Sequence, residues 1–189
     1  MSTEWVRPEY TRERVNRAGA RLIGESSVPL DEALDILSNW RSSHSFPLNT
    51  IAMDLRTKAK RVNSRPVLAQ RLKRATSIRR KLQRTPKMKL SRMQDIGGCR
   101  AVVSSYSDVQ QVAALYASSR AAHEQVRVDN YVDAPPSSGY RGVHLVLRFH
   151  STRNPEFDKL CIEVQLRSRI QHAWATAVET VGTLQGRRC

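Results

Sequence analysis

The stretch CIEVQLR, residues 161–167, has the alternation of a β-strand with two different faces. The apolar residues at positions 162, 164 and 166 share one face and would point into a hydrophobic core. Glu163, Gln165 and Arg167 share the opposite face. A carboxylate, an amide and a guanidinium on one face of a central strand predict that this face lines a functional site.

Two other predicted strands show the same division into an apolar and a polar face. In GYRGVHLVLRF, residues 139–149, Tyr140 and His144 alternate with the apolar positions. In GCRAVV, Arg100 falls opposite the apolar positions, and Asp95 lies just before the Gly-Gly pair that opens this strand. Polar residues on one side of three strands predict the floor of a binding site.

The remaining segments supply helices around this sheet. The first sixty residues have helical periodicity, and SDVQQVAALYASSRAA is predicted as a helix with Ser107 at its N-cap. Residues 66–84 fit either one helical stripe or a short strand followed by a helix. The order of elements predicts an α/β fold, mixed α+β, with helices packed against the sheet. We predict a helical N-terminal segment over residues 1–63 and a sheet-containing domain over residues 64–189.

Positive charge is concentrated in one block of the chain. The net charge is +15, and residues 56–92 contain fifteen Lys and Arg without one Asp or Glu. Such a local field attracts phosphate groups of nucleotides, nucleic acids or lipids.

Composition also predicts the compartment. The 189 residues contain no apolar run long enough to span a bilayer, and MSTEWVRPEY has no apolar core of a secretory signal. The three cysteines, Cys99, Cys161 and Cys189, are expected to be free thiols in a reducing cytoplasm.

The polar residues suggest nucleotide chemistry with a hard cation. Asp95 and Glu163, in a strongly basic protein, suit Mg²⁺ held by carboxylates and substrate phosphates. Arginine side chains can stack on bases and bind phosphates, and Tyr140 could stack on a second base. The sequence has no GxxxxGK[ST] or GxGxxG motif and no Cys/His spacing typical of zinc.

Four motifs together resemble the synthetase domain of the RelA/SpoT family. They are RLKRATSIRRKL (71–82), DIGGCR (95–100), SSGYRGVH (137–144) and IEVQLRSRIQHAWA (162–175). The resemblance implies a nucleotidyltransferase-like mixed sheet flanked by helices. It also implies pyrophosphoryl transfer from ATP to the ribose 3′-OH of GDP or GTP, with release of AMP.

The resemblance further implies roles for individual residues. The residues expected around ATP are Arg71, Lys73, Ser77, Lys81, Arg84 and Arg100, with Arg71 and Arg100 on the two faces of adenine. Asp95 resembles the Mg²⁺ ligand, and Glu163 the second acidic residue, which joins the metal or accepts the 3′-OH proton. The residues expected at the acceptor are Tyr140, His144 and Gln165. For residues 66–84 the resemblance favours a strand that ends near Lys73 and a helix from Ser77.

Three features depart from the family pattern. The stretch DAPPSSGYR has no lysine before Tyr140, which leaves the acceptor open, and Glu179 is followed by Thr180 where the family often has His. The chain ends soon afterwards, which leaves open whether a C-terminal segment is missing. No hydrolase motif precedes the domain and the regulatory region of the long family members is absent, so a small, synthetase-only form is expected. One alternative is a relative that pyrophosphorylates the 3′ end of tRNA; another is a non-catalytic nucleic-acid-binding module. A homo-oligomer is also considered, whereas a membrane partner is not expected.

Overall fold

The computed structural model describes residues 4–85, 87–118, 123–137 and 139–184, which form helices around one β-sheet. The α-helices of this part are α1 (Arg12–Arg21), α2 (Leu30–Ser42), α3 (Ser45–Val62), α4 (Ala75–Arg84), α5 (Tyr106–Ala117) and α6 (Arg169–Leu184). The strands are β1 (Val67–Leu72), β2 (Gly97–Val103), β3 (Glu124–Asn130), β4 (Val143–Arg148) and β5 (Cys161–Ser168). Short 3₁₀ turns cover Leu90–Arg92 and Pro155–Phe157.

The sheet is mixed, with the strand order β1-β2-β5-β4-β3. Strands β2 and β5 run parallel at its centre, and the other neighbouring strands are antiparallel. This arrangement confirms the predicted mixed α/β sheet flanked by helices. It also places the polar positions of β2, β4 and β5 next to one another.

The apolar face of β5 points into the core, as its alternation predicts. Ile162, Val164 and Leu166 are buried among residues of β2 and β4. Helices α3 and α5 pack against the sheet, and burying each such aliphatic side chain contributes about 1.5–3 kcal/mol. The opposite face of β5 is therefore free of these two helices and can carry polar groups.

The N-terminal helices pack onto the same core as the sheet. In α2, Ile36 and Trp40 are buried, whereas Leu34 is 47% exposed and does not belong to the apolar face. In α3, Ile51 and Leu55 join the hydrophobic cluster that contains the sheet residues. The predicted boundary near residue 63 falls between α3 and β1, and a division into two domains remains a prediction.

Three element boundaries differ from the sequence prediction. Helix α5 is capped by Ser105, not Ser107, because Ser105 and Asp108 form a reciprocal capping box. Strand β4 begins at Val143, so Tyr140 lies in the preceding loop and not in the strand. Residues 66–84 form a strand and then a helix, which begins at Ala75 instead of Ser77.

The cysteines that the structure describes are free thiols. Cys99 is buried and Cys161 is partly buried, while Cys189 lies outside the described residues. Burial raises the pKa of Cys99 to about 12, so this thiol stays protonated.

Across the part of the chain that the structure describes, no helix combines the length and the apolar character needed to cross a lipid bilayer.

Candidate active site

A cleft of about 760 Å³ lies over the polar face of the sheet. Its floor is built by β1, β2 and β5 together with His144 of β4, and Trp174, Ala175 and Val178 of α6 form a wall. The loop before β4 contributes Pro136 and Tyr140. The cleft thus lies where the alternation of the strands predicts a site.

Most of the residues predicted for the site line this cleft. They are Arg71, Lys73, Asp95, Arg100, Tyr140, His144, Glu163 and Gln165. Lys81 reaches the site through Asp95. Ser77 and Arg84 lie on α4 and are not part of the lining. The structure brings the first group together, while the individual roles remain predictions.

Two lysines bind the carboxylate of Asp95. Lys73 Nζ donates to Oδ2 at 2.8 Å, and Lys81 Nζ donates to Oδ1 at 2.9 Å. The backbone N–H of Lys73 donates to the Ile96 carbonyl at 2.7 Å, which holds the end of β1 beside Asp95. Burial tends to raise the pKa of Asp95, but the hydrogen bonds and charges of the two lysines outweigh it and lower this pKa.

Gly98, which pairs with Glu163 in the sheet, leaves space on the floor of the cleft beside it. Gly98 pairs with Glu163 on one side and with Arg71 on the other. A Cβ built at Gly98 would have no atom closer than the Glu163 carbonyl oxygen, at 3.7 Å. The glycine therefore keeps the floor of the cleft open between a guanidinium and a carboxylate.

Glu163 and four other side chains form a closed ring of hydrogen bonds. Arg167 Nε donates to Tyr140 Oη at 2.8 Å, and Tyr140 Oη lies 2.7 Å from His144 Nε2. His144 Nδ1 lies 3.2 Å from Glu163 Oε1, and Gln165 Nε2 donates to Glu163 Oε2 at 2.7 Å. Arg167 Nη2 donates to Gln165 Oε1 at 3.1 Å and closes the ring. We call this set the Glu163 ring.

The ring keeps Glu163 ionised. Burial tends to raise the pKa of Glu163, and the nearby charge of Asp95 acts in the same direction. The hydrogen bond and electrostatic attraction of His144, together with the hydrogen bond from Gln165, outweigh both effects, so the pKa lies below its usual value. A carboxylate that is ionised at neutral pH can accept a proton or bind a cation.

Arg167, Tyr131 and Trp174 are among the cleft residues that were not in the predicted site. The alternation of β5 puts Arg167 on its polar face but indicates no role for it, and the residue is only 5% exposed. Tyr131 packs edge-to-face on both Tyr140 and His144. Trp174 of α6 is 54% exposed. Alternation could have identified Arg167, but no local pattern indicates that Tyr131 and Trp174 reach the same cleft.

The basic block contributes to the site through a few members. Arg71 and Lys73 line the cleft, and Lys81 contacts Asp95. Most of the other basic residues in this block lie elsewhere, on α3, on α4 and around the turn at Leu90–Arg92. Within the described ranges, no group of three or more His, Cys, Asp or Glu side chains forms a metal-binding cluster. A metal at this site would therefore depend on two carboxylates and on the substrate.

The fold and the sequence are similar to those of known proteins. The GTP pyrophosphokinase YwaC of Bacillus subtilis is 24% identical over 168 residues, covering 80% of this chain and 78% of YwaC. The uncharacterised protein Rv1366 of Mycobacterium tuberculosis is 28% identical over 121 residues, and the match covers 41% of that protein.

Solved structures with the same fold include two small alarmone synthetases of Bacillus subtilis. Small alarmone synthetase 2 superposes with a TM-score of 0.67 at 22% identity, covering 79% of this chain and 82% of that one. Small alarmone synthetase 1, bound to its product pppGpp, gives a TM-score of 0.64 at 22% identity, with 80% and 84% covered.

A family model described as the region found in RelA / SpoT proteins matches residues 70–181. This match contains the second half of β1, all the cleft residues on β2, β4 and β5, and most of α6. The chain belongs to the RelA/SpoT family.

Proposed function

We propose that this protein is a pyrophosphokinase that transfers the β,γ-diphosphate of ATP to the ribose 3′-OH of GDP or GTP. The products are the (p)ppGpp alarmone and AMP. The observation that carries the proposal is the position of Glu163, an ionised carboxylate on the floor of a cleft whose β1 side is cationic. Similarity to the GTP pyrophosphokinase YwaC supports the same reaction.

The donor ATP is assigned to the side of the cleft formed by β1 and α4. Arg71 and Arg100 offer guanidinium planes for adenine, and Lys73 and Lys81 offer ammonium groups for phosphates. Both lysines already hold a carboxylate, Asp95, so their Nζ atoms are positioned to bind oxyanions. Ser77 and Arg84 of α4 remain candidates for contacts outside the cleft lining.

The residues present suit Mg²⁺, which is the cofactor that we propose. Asp95 and Glu163 are both ionised carboxylates in the cleft, and Mg²⁺ prefers one or two such ligands completed by phosphate oxygens. The lysines on Asp95 would have to share its oxygens with the ion. When bound, Mg²⁺ neutralises charge on the transferred diphosphate.

Glu163 is the residue that we assign to proton transfer. The acceptor 3′-oxygen forms a bond to the β-phosphorus of ATP as the bond from that phosphorus to the α–β bridging oxygen breaks. The electron pair of the broken bond leaves with AMP, and the 3′-hydroxyl proton passes to Glu163. A positioned base of this kind contributes about 10²–10⁴-fold, and the remainder comes from positioning and charge.

The acceptor is assigned to the side of the cleft around Tyr140. Its ring lies beside Tyr131 and His144, and Gln165 is adjacent on β5. Gly139 has a φ of 75°, a left-handed conformation that lets the chain turn into this loop. The stretch before Tyr140 has no lysine to bind a 5′-diphosphate, so the choice between GDP, GTP and the 3′ end of tRNA is decided by experiment.

The experiment is incubation of the purified protein with ATP labelled in its γ-phosphate and one acceptor at a time. The acceptors are GDP, GTP, ATP and bulk tRNA, and Glu163→Gln serves as the inactive control. We expect label in GDP or GTP, stoichiometric release of AMP and no label with the control. Label in tRNA alone would replace the proposed acceptor, and no transfer to any acceptor would contradict the enzyme assignment. The cytoplasmic location and the homo-oligomer remain predictions.

A further inference from the structure

The Glu163 ring determines where each of its protons lies. Arg167 has only donors, and an ionised carboxylate has only acceptors. Gln165 must therefore accept from Arg167 through Oε1 and donate to Glu163 through Nε2, as the structure has it. The orientation of the amide, which is otherwise ambiguous, follows from its two neighbours.

The same reasoning assigns the tautomer of His144. Glu163 Oε1 can only accept, so His144 Nδ1 carries a hydrogen. Tyr140 Oη accepts from Arg167 Nε, and within the ring the phenolic hydrogen has one acceptor, His144 Nε2, so we assign that bond as a donation from Tyr140. Burial raises the pKa of Tyr140 despite the nearby charge of Arg167, so the phenol keeps that hydrogen. With this assignment, in which His144 carries its hydrogen on Nδ1, each of the five hydrogen bonds of the ring has one donor and one acceptor.

Arg167 donates two of the five hydrogen bonds of the Glu163 ring, one on each side. Its guanidinium donates to Tyr140 on one side and to Gln165 on the other, and it lies 4.9 Å from the centroid of the Tyr140 ring. Gly142 leaves room for the Tyr140 hydroxyl, since a Cβ there would lie 2.8 Å from Oη. Lysine could not replace Arg167, because it lacks two donors in a fixed planar geometry.

We infer that Arg167 is a positioning residue, which acts through Tyr140 and Gln165 to set the tautomer of His144 and to orient both oxygens of Glu163. It need not touch either nucleotide. The kinetic part of this inference rests on the proposed function, whereas the tautomer does not. The Tyr140 hydroxyl then has a role of its own, beyond any stacking of its ring on an acceptor base.

The direct test is ¹⁵N NMR of the histidine side chains, with His144→Gln used to identify the His144 signals. In the wild type we expect a protonated Nδ1 and an unprotonated, hydrogen-bonded Nε2. In Tyr140→Phe, and in Arg167→Lys, we expect that pattern to be lost. Arg148→Lys is the matched control, because Arg148 lies on the neighbouring strand and pairs with Glu124 outside the cleft.

The kinetic test separates positioning from binding. Tyr140→Phe keeps the aromatic ring, so we expect the KM for the acceptor to change less than about twofold while kcat falls about tenfold or more. Arg167→Lys should give the same split, with Arg148→Lys close to wild type. Melting temperatures of all variants show whether a loss of kcat merely follows a loss of folded protein.

Two results would overturn the inference. One is an unchanged His144 tautomer in both Tyr140→Phe and Arg167→Lys. The other is a Tyr140→Phe enzyme with wild-type kcat. Absence of any pyrophosphoryl transfer by the wild type would contradict the proposed function but would leave the NMR result to decide the tautomer.

Discussion

The two carboxylates of the cleft are held by different kinds of partner. Asp95 is bound by the ammonium groups of Lys73 and Lys81, which are long, flexible side chains. Glu163 is bound by His144 and Gln165, which are shorter and belong to a closed ring. Incoming phosphates can draw the lysines away from Asp95, whereas Glu163 keeps its orientation. Asp95 is therefore suited to binding charge and Glu163 to proton transfer.

Replacing each carboxylate by its amide, in Glu163→Gln and in Asp95→Asn, tests the two roles. We expect Glu163→Gln to reduce transfer by at least about 100-fold, because it removes the proposed base. The free energy of unfolding should fall by about 1–3 kcal/mol, because glutamine can still accept from His144 but turns an N–H towards Gln165 Nε2, which is itself a donor. Asp95→Asn should also abolish transfer, through the loss of the charge that a metal requires.

The measurements are the transfer rate and urea unfolding on the same preparations. Asp35→Asn, on the exposed side of α2, is the control and should leave both unchanged. Near wild-type turnover by Glu163→Gln would show that another group takes the proton.

Tyr140 shows what the sequence could and could not predict at this scale. Alternation with His144 placed it correctly on the side of the cleft, although β4 begins only at Val143. The loop, and not the strand, brings the residue to the site. Its bond to Arg167 joins residues 27 positions apart, and no local periodicity encodes such a pairing. The Glu163 ring therefore could not be predicted from the sequence.

Strand β2 contains two adjacent glycines, of which one faces the core and the other faces the cleft. Gly97 faces the core, where an added Cβ would lie 2.6 Å from Ile162 Cδ1 and 3.6 Å from Leu48 Cβ. Gly98 faces the cleft, where an added Cβ would meet nothing closer than 3.7 Å. One strand thus needs small residues on its two faces for two different reasons.

Alanine variants of the two glycines should distinguish the packing role of Gly97 from the role of Gly98 in the cleft. We expect Gly97→Ala to lower the free energy of unfolding by about 1–3 kcal/mol through overpacking. Gly98→Ala should unfold like the wild type but lose activity, because its methyl group narrows the floor between Arg71 and Glu163. Each variant is the control for the other. Equal stability and equal activity of the two would contradict the assignment of the faces.

The elements themselves followed well from local patterns. The apolar positions of β5 identified its buried face, and the mixed sheet was predicted correctly. The N-cap of α5 was predicted two residues too late in the chain, because Ser107 is as good a cap as Ser105 when each is considered alone. The choice of Ser105 depends on the reciprocal bond with Asp108, and Asn63 of a distant segment also contacts that carboxylate. Strand order depends on such distant contacts throughout.

At the scale of the whole molecule, a buried histidine joins the N-terminal helices to the sheet. His44 is 1% exposed, lies between α2 and α3, and its Nδ1 is 2.7 Å from the Trp40 carbonyl. Burial lowers its pKa from 6.5 to about 4, although the bond to Trp40 acts in the opposite direction. The folded protein therefore holds this histidine neutral at a pH where the unfolded chain would protonate it.

Stability should fall with acidification between pH 6.5 and about 4, because protons bind the unfolded chain first in this interval. The full loss from His44 is about 3 kcal/mol. We expect His44→Gln to flatten the dependence of the unfolding free energy on pH, measured by urea titration at about pH 7 and about pH 5. His123, whose pKa burial also lowers, contributes in the same direction, so some dependence should remain.

His150, with an exposed side chain, supplies the control variant His150→Gln. An identical slope in wild type and His44→Gln would show that the acid sensitivity arises elsewhere. Asp95 and Glu163 do not affect the comparison of about pH 7 with about pH 5, because their stabilising contribution is present above their ordinary pKa values of 3.8 and 4.5 and is lost as the pH falls through their lowered folded values.

The Glu163 ring also makes the distribution of charge in the cleft uneven. Arg167 and Glu163 cancel each other within it, whereas Arg71, Lys73 and Lys81 outnumber Asp95 on the opposite side. Arg100 lies between the two sides, since it pairs with Gln165 in the sheet and its charge also acts on Tyr140. A polyanion entering the cleft should therefore meet stronger attraction on the β1 side, and we expect ionic attraction to sort the two nucleotides before any base is recognised. Raising KCl from about 0.05 to about 0.3 M shortens the range of that attraction. The KM for ATP should then rise more steeply than the KM for GDP, and equal slopes would mean that both ends of the cleft attract phosphate.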